Sequence, residues 1–239
     1  MKIRAVLWGL MSLTLSLSTT IQAEDRDKKG ERPWCDSFSP GRADLTNIGK
    51  NSYFILLPTY RLHFEHGKET RVTKVLHETE SVAGVETRVV EERETKDGEL
   101  VKVSRMFLAI SRTTGDIYCF GKDVDTYKND KVTGHEGAWR AGVNAAKCSL
   151  LMPGRPTVGD RFYHAVAPGV AMDRSEIISR SEEVKTPVGT YERCLRIRET
   201  SALKNGSEDK FYAQDVGLIK DGKMILVNVY CPPKGTVVP

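Results

Sequence analysis

Hydrophobic and polar positions alternate along most of this chain, most clearly between residues 85 and 110. Two β-rich runs, residues 85–94 and 99–110, are hinged on Lys96-Asp97-Gly98. Asp-Gly signals a hairpin because a type I′ turn needs φ > 0 at both central positions, where Asp and Gly carry the smallest steric cost. Residues 59–66 repeat the pattern, with Tyr60, Leu62 and Phe64 on one face and Arg61, His63 and Glu65 on the other. Comparable runs follow to the C-terminal region, separated by Ala83-Gly84, Thr114-Gly115, Pro187-Val188-Gly189, Asn205-Gly206 and Asp221-Gly222. The pattern predicts roughly ten or eleven strands, mostly paired with sequence neighbours, and little helix. A sheet that wide coils. The expected fold is mostly β: one large coiled antiparallel sheet, a half-barrel or open barrel.

Residues 134–159 break the alternation. They are rich in Gly and Ala, carry Pro153 and Pro156, and place Trp139 and Met152 without strand period. They read as a long functional or packing loop, with one short helix over residues 143–150.

The N-terminus reads as an export signal. Lys2 and Arg4 precede an uncharged run over residues 5–17, and Ser18-Thr19-Thr20-Ile21-Gln22-Ala23 leads into Glu24-Asp25-Arg26-Asp27. That order predicts cleavage after Ala23. The apolar run falls short of the roughly 20 residues that span a bilayer, so a membrane anchor is the weaker reading. The expected layout is a signal peptide over 1–23, a disordered or irregular lead-in over 24–50, one β domain over 51–231 and a tail over 232–239. Past the signal no run suits a transmembrane helix, so a soluble periplasmic or secreted protein is expected.

Loss of Lys2 and Arg4 lowers the formal charge from +4 to +2. The remaining charges are interspersed, with no basic stripe among aromatics, which argues against nucleic acid. Export permits disulfides among Cys35, Cys119, Cys148, Cys194 and Cys231, although an odd count leaves one unpaired. Domain termini often lie close together, which makes Cys35 and Cys231 the first candidate pair. Cys119 and Cys194 fall in strand patterns and are expected to be buried.

Several segments carry a resemblance: Gly84-Val85-Glu86-Thr87-Arg88-Val89-Val90, Glu136-Gly137-Ala138-Trp139-Arg140-Ala141-Gly142, Met152-Pro153 with Val158-Gly159-Asp160, Thr186-Pro187-Val188-Gly189-Thr190-Tyr191 and Tyr212-Ala213-Gln214-Asp215-Val216-Gly217-Leu218. Together they resemble an uncharacterised group of exported bacterial β-rich proteins. The last two are also similar to periplasmic families whose curved antiparallel sheet is like that of lipoprotein carriers. The resemblance implies a fold and brings no catalytic residues with it.

The candidate chemistry is thin. His63 and His66 lie three apart on a strand and point to opposite faces, and His63 with Glu65 gives too few ligands, so no metal is expected. Gly115–Lys122 has five residues between its glycines and Asp123 where a P-loop needs Ser or Thr. No G-x-S-x-G elbow occurs, and no cofactor is implied. Glu136, Asp160 and Asp173 near Trp139 and Tyr163 suit a hydrolase or lyase acting on envelope carbohydrate. Glu91, Glu92 and Glu94 read as a solvated or cross-strand-paired face.

The preferred expectation is non-catalytic binding of an apolar or amphipathic ligand, or an envelope component, in the hollow of the sheet. Trp139, Met152, Phe162 and Tyr163 would line it, with Glu136 and Asp173 beside them. The same residues also suit a plain core, which has a similar composition. A strand edge presented to a protein partner is the third reading.

Overall fold

The computed structural model describes residues 31–231. The expected signal peptide and C-terminal tail lie outside them. The regular structure of the described chain is almost all strand, with a single 3-10 turn over Arg42–Asp44. In order the strands are β1 (Leu45–Thr46), β2 (Gly49–Lys50), β3 (Ile55–Leu56), β4 (Arg61–His66), β5 (Glu69–Val82), β6 (Val85–Lys96), β7 (Glu99–Ser111), β8 (Ile117–Lys128) and β9 (Lys131–Gly134). They continue as β10 (Trp139–Arg140), β11 (Ser149–Met152), β12 (Arg161–Tyr163), β13 (Asp173–Thr186), β14 (Gly189–Ser201), β15 (Ser207–Ala213), β16 (Gly217–Asp221) and β17 (Met224–Tyr230). All but β2 and β3 belong to one 15-stranded antiparallel sheet.

Ten of these strands have five residues or more, and local turn chemistry sets their pairing. Asp97 and Gly98 both have positive φ, at 52° and 85°, and Lys96 pairs with Glu99 across them. Ala83-Gly84 and Asn129-Asp130 make the same kind of turn between β5 and β6 and between β8 and β9. Primed turns match the strand twist, so each hairpin feeds the next without splaying.

The sheet path runs β10-β8-β7-β6-β5-β4-β17-β16-β15-β14-β13-β12. The first and last long strands, β4 and β17, therefore pair in its middle. Its two outer flanks are β8 on one side and β13 on the other, and the sheet does not close into a barrel. Residues 135–172 run between those flanks. They lay β10 and β11 on β8, and β12 on β13. The expected long loop is thus partly strand. The helix expected over residues 143–150 is absent: Asn144 and Ala145 take positive φ, and Ala146 N–H donates to Val143 C=O in a tight turn.

Residues 34–50, part of the expected irregular lead-in, are built into the fold. Cys35 bridges to Phe162 in parallel, β1 pairs with β7, and the Arg161 and Arg174 guanidiniums lie 4.2 and 4.7 Å from the Trp34 ring centroid. The expected Cys35–Cys231 disulfide is not formed in this structure, where both thiols are free and exposed. Cys35 sits against β12 at one end of the path and Cys231 follows β17, with β16, β15, β14 and β13 between them. All five cysteines are free, with Cys119 and Cys194 buried as expected.

Phe64, Leu108, Ile117, Leu195, Ile197, Ile219 and Leu226 are among the fully buried side chains of the core. Beside them the curved sheet leaves a hollow.

Candidate functional site

A cavity of about 410 Å³ occupies the concave side of the sheet. Binding pockets run about 300–1,000 Å³. Its walls are graded along the strands, and the period-2 rule shows how. On β5 the inward positions pass from Arg71 through Thr73 to Val75, and on β6 from Glu94 through Glu92 to Val90. Register joins them into rows: Arg71 faces Glu94 and Glu94 faces Lys102, whereas Val75 faces Val90 and Val90 faces Met106. Across the hollow, Glu208, Lys210 and Tyr212 follow the same alternation on β15, and Asp221 and Leu218 face them from β16. The charged rows lie toward the turns at Gly67, Asp97-Gly98 and Gly222. Tyr60, Leu62, Val75, Val90, Met106 and Leu218 lie further along the same strands. The cavity is amphipathic, and its apolar row ends on Lys122, which faces Met106 and also lines the wall.

The charged end is a connected network. Arg71 reaches Asp221 at 2.6 Å, and Lys210 reaches Glu199 at 2.9 Å and Asp221 at 3.7 Å. Lys102 reaches Glu94 at 3.1 Å, and the Thr73 hydroxyl donates to Glu92 at 3.2 Å. Burial alone would raise the Glu199 carboxyl, but the Lys210 ammonium, with Lys122 further off, outweighs it and holds it below the usual range. Burial would likewise lower Lys210, yet Glu199 and Asp221 drive it well above an ordinary lysine. Both groups are therefore ionised at neutral pH. Burial and the Asp221 charge raise Glu208, which sits at the rim. A second depression of about 280 Å³ shares Arg71, Glu94, Glu208 and Asp221 with the cavity, so the charged end opens toward the turns.

His164 marks the opposite wall. Burial keeps its imidazole below the ordinary value, hence neutral at pH 7. Its Nδ1 lies 2.8 Å from the Ser175 hydroxyl and its Nε2 3.9 Å from Glu199. A hydroxyl, an imidazole and a carboxylate in line suggest a catalytic triad. Ser175, however, is 2% exposed and does not line the cavity, so its oxygen has no access to a substrate held there.

The residues expected at the site divide evenly. Trp139 on β10, Met152 on β11 and Asp173 on β13 line the cavity. Phe162 is buried in the core outside it, because β12 lies at the end of the sheet path against Cys35. Tyr163 points to the other face of the same strand and meets Trp34 edge-on at 6.2 Å. Glu136 is exposed in the turn between β9 and β10. The structure thus does not assemble Glu136 with Asp173. Cys119 also lines the cavity, but burial pushes its thiol up to about 11, which leaves it a poor nucleophile.

Glu92 and Glu94, expected on a solvated or cross-strand-paired face, are cross-strand paired but turn inward, while Glu91 turns outward to Arg105 at 2.9 Å. Arg71, Glu199, Lys210 and Asp221 carry the network and passed unnoticed in the sequence. In a β pattern a charged row on the concave side looks like an ordinary solvent face. The signal is the register, which sets Lys210 opposite Asp221 and Arg71 opposite Glu94.

No group of three or more His, Cys, Asp or Glu side chains among the described residues is placed to hold a metal ion. No helix there is long and apolar enough to cross a membrane. Comparison with family models, curated proteins and solved structures finds no match for this chain.

Proposed function

We propose that this chain is an exported binding protein that holds an amphipathic ligand in the hollow of its sheet without transforming it. One observation carries the reading: the cavity is graded, with apolar rows at Val75-Val90-Met106 and a buried ionic network at Arg71-Asp221-Lys210-Glu199. A plain core would close over the apolar rows. Here Met106 and Leu218 stay only half-buried on the cavity wall, beside charges that pair with one another. Export rests on the charge order and length of residues 1–23. The absence of a cavity-lining hydroxyl on His164, and the separation of Glu136 from Asp173, favour binding over hydrolysis.

The test is direct. N-phenyl-1-naphthylamine, a neutral apolar fluorophore, should brighten on titration with the purified protein and saturate at one site. Leu218 is half-buried on the cavity wall. A Leu218→Trp variant should lose this signal while melting within a few degrees of wild type. Undiminished binding by a folded Leu218→Trp protein would place the ligand elsewhere.

A further inference from the structure

We infer that Asn205 is a self-modifying site, where the chain loses ammonia and gains a carboxylate and an isoaspartyl link in the turn between β14 and β15. The inference is independent of the binding reading above. The chain has six asparagines, Asn47, Asn51, Asn129, Asn144, Asn205 and Asn228, and only Asn205 is followed by glycine. Cyclisation brings the next residue's backbone nitrogen onto the asparagine side-chain carbonyl, so a following side chain crowds the approach. Glycine removes that crowding and widens the range of backbone angles open to the pair.

The turn leaves this pair free to react. Residues 202–208 are exposed, and neither Asn205 nor Gly206 makes a hydrogen bond with another described residue. The turn is tied down only at its start, where Ala202 N–H donates to Met172 C=O at 2.8 Å and Leu203 N–H to the Ser201 hydroxyl at 3.3 Å. Pairing resumes where Ser207 meets Thr200. Gly206 holds φ at 117°, and a Cβ there meets no neighbour. The other five asparagines are held. Asn47 is bonded to Arg88 and Glu86, and the Asn51 side chain accepts from the Tyr53 and Phe54 N–H groups. Asn228 pairs with His63 within the sheet. Asn129 and Asn144 sit in positive-φ turns ahead of Asp130 and Ala145, whose side chains crowd the approach.

The step needs only the chain and water. The Gly206 nitrogen gives up its proton to solvent and bonds to Asn205 Cγ. The Cγ–Nδ2 bond breaks, and the amide nitrogen takes a proton from solvent and leaves as ammonia. Water then opens the succinimide. Opening at Cγ gives aspartate, whereas opening at the backbone carbonyl gives isoaspartate, with the main chain rerouted through Cβ and Cγ. Either product adds one negative charge to the turn.

The experiment ages the purified protein at pH 8 and follows it by isoelectric focusing and peptide mapping. Wild type should accumulate an acidic form, with the peptide spanning Asn205 split into aspartyl and isoaspartyl isomers. An isoaspartyl-directed carboxyl methyltransferase, supplied with S-adenosylmethionine, should label that peptide. Asn205→Gln leaves the backbone of the turn as it is and needs a larger ring to cyclise. Its acidic form should therefore appear at least about tenfold more slowly, which corresponds to about 1.4 kcal/mol in the barrier. Conversion of any other asparagine ahead of Asn205 would overturn the inference. So would an acidic form that appears as fast in Asn205→Gln as in wild type, or a wild-type protein that stays unchanged on ageing.

Discussion

Replacing Lys210 with Met tests whether the ionic network is part of the fold's stability. The Lys210 ammonium lies between Glu199 at 2.9 Å and Asp221 at 3.7 Å, and the Lys210 and Glu199 side chains are 22% and 19% exposed. Methionine keeps the apolar stem and removes the charge. Asp221 retains Arg71, whereas Glu199 loses its ion-paired cation and keeps neutral His164 and the more remote Lys122. Breaking a fully buried pair costs about 3–5 kcal/mol. Partial exposure here reduces that to about 2–3 kcal/mol, or a drop in Tm of about 4–12 °C for a domain of this size. Urea unfolding followed by tryptophan fluorescence measures it, with an unchanged m-value expected. The pH dependence is diagnostic. In wild type Glu199 is depressed, so its contribution is present above the ordinary carboxylate pKa and lost as pH falls through its folded value. In Lys210→Met the largest opposition to burial at Glu199 is gone, so its carboxyl rises, acidification relieves the variant and the gap to wild type closes. Adding Glu199→Gln should recover at least about 1 kcal/mol as a coupling energy. A Lys210→Met protein within about 0.5 kcal/mol of wild type at pH 7 and flat down to pH 4 would refute the reasoning.

Gly98→Val should destabilise by about 1–3 kcal/mol, because φ of 85° strains a β-branched residue although a Cβ there meets no neighbour. Lys96→Ala should cost far less, and equal urea midpoints for the two would contradict the turn. His164 is depressed by burial, so the unfolded chain binds its proton at higher pH than the fold does. Stability should therefore rise with pH up to the ordinary imidazole value and level off above it. His164→Gln should remove that slope. A maleimide should label Cys35 and Cys231 quickly in the native protein, and Cys119 only on unfolding. Protection of both Cys35 and Cys231 until reduction would restore the disulfide.

The strands and their hairpin order were legible because they depend on local chemistry. Period-2 alternation and pairs such as Asp97-Gly98 specify both turn and register without reference to distant residues. The short strands β10, β11 and β12 were not legible, since they form only where β8 and β13 offer an edge. The helix expected over 143–150 failed for a related reason: Gly and Ala there serve a positive-φ turn at Asn144-Ala145 and no continuous amphipathic face supports a helix. At the site, Trp139 and Met152 stood out as large apolar residues in an irregular stretch. Lys210, Glu199 and Asp221 did not. A buried ion pair requires knowing which face of a strand is concave, and that is a property of the whole sheet's curvature.

The central claim is that the tail of an amphiphile lies inside the sheet against Trp139. A bromine at the far end of the tail, as in 10-bromodecylamine, quenches a tryptophan it touches. Titration should therefore quench wild-type fluorescence in step with displacement of N-phenyl-1-naphthylamine. The Trp139→Phe protein, whose described emission comes from Trp34 on the outer segment, should keep its fluorescence while still binding. Equal fractional quenching in the two proteins, or none in wild type at saturating probe, would contradict a ligand site in this cavity.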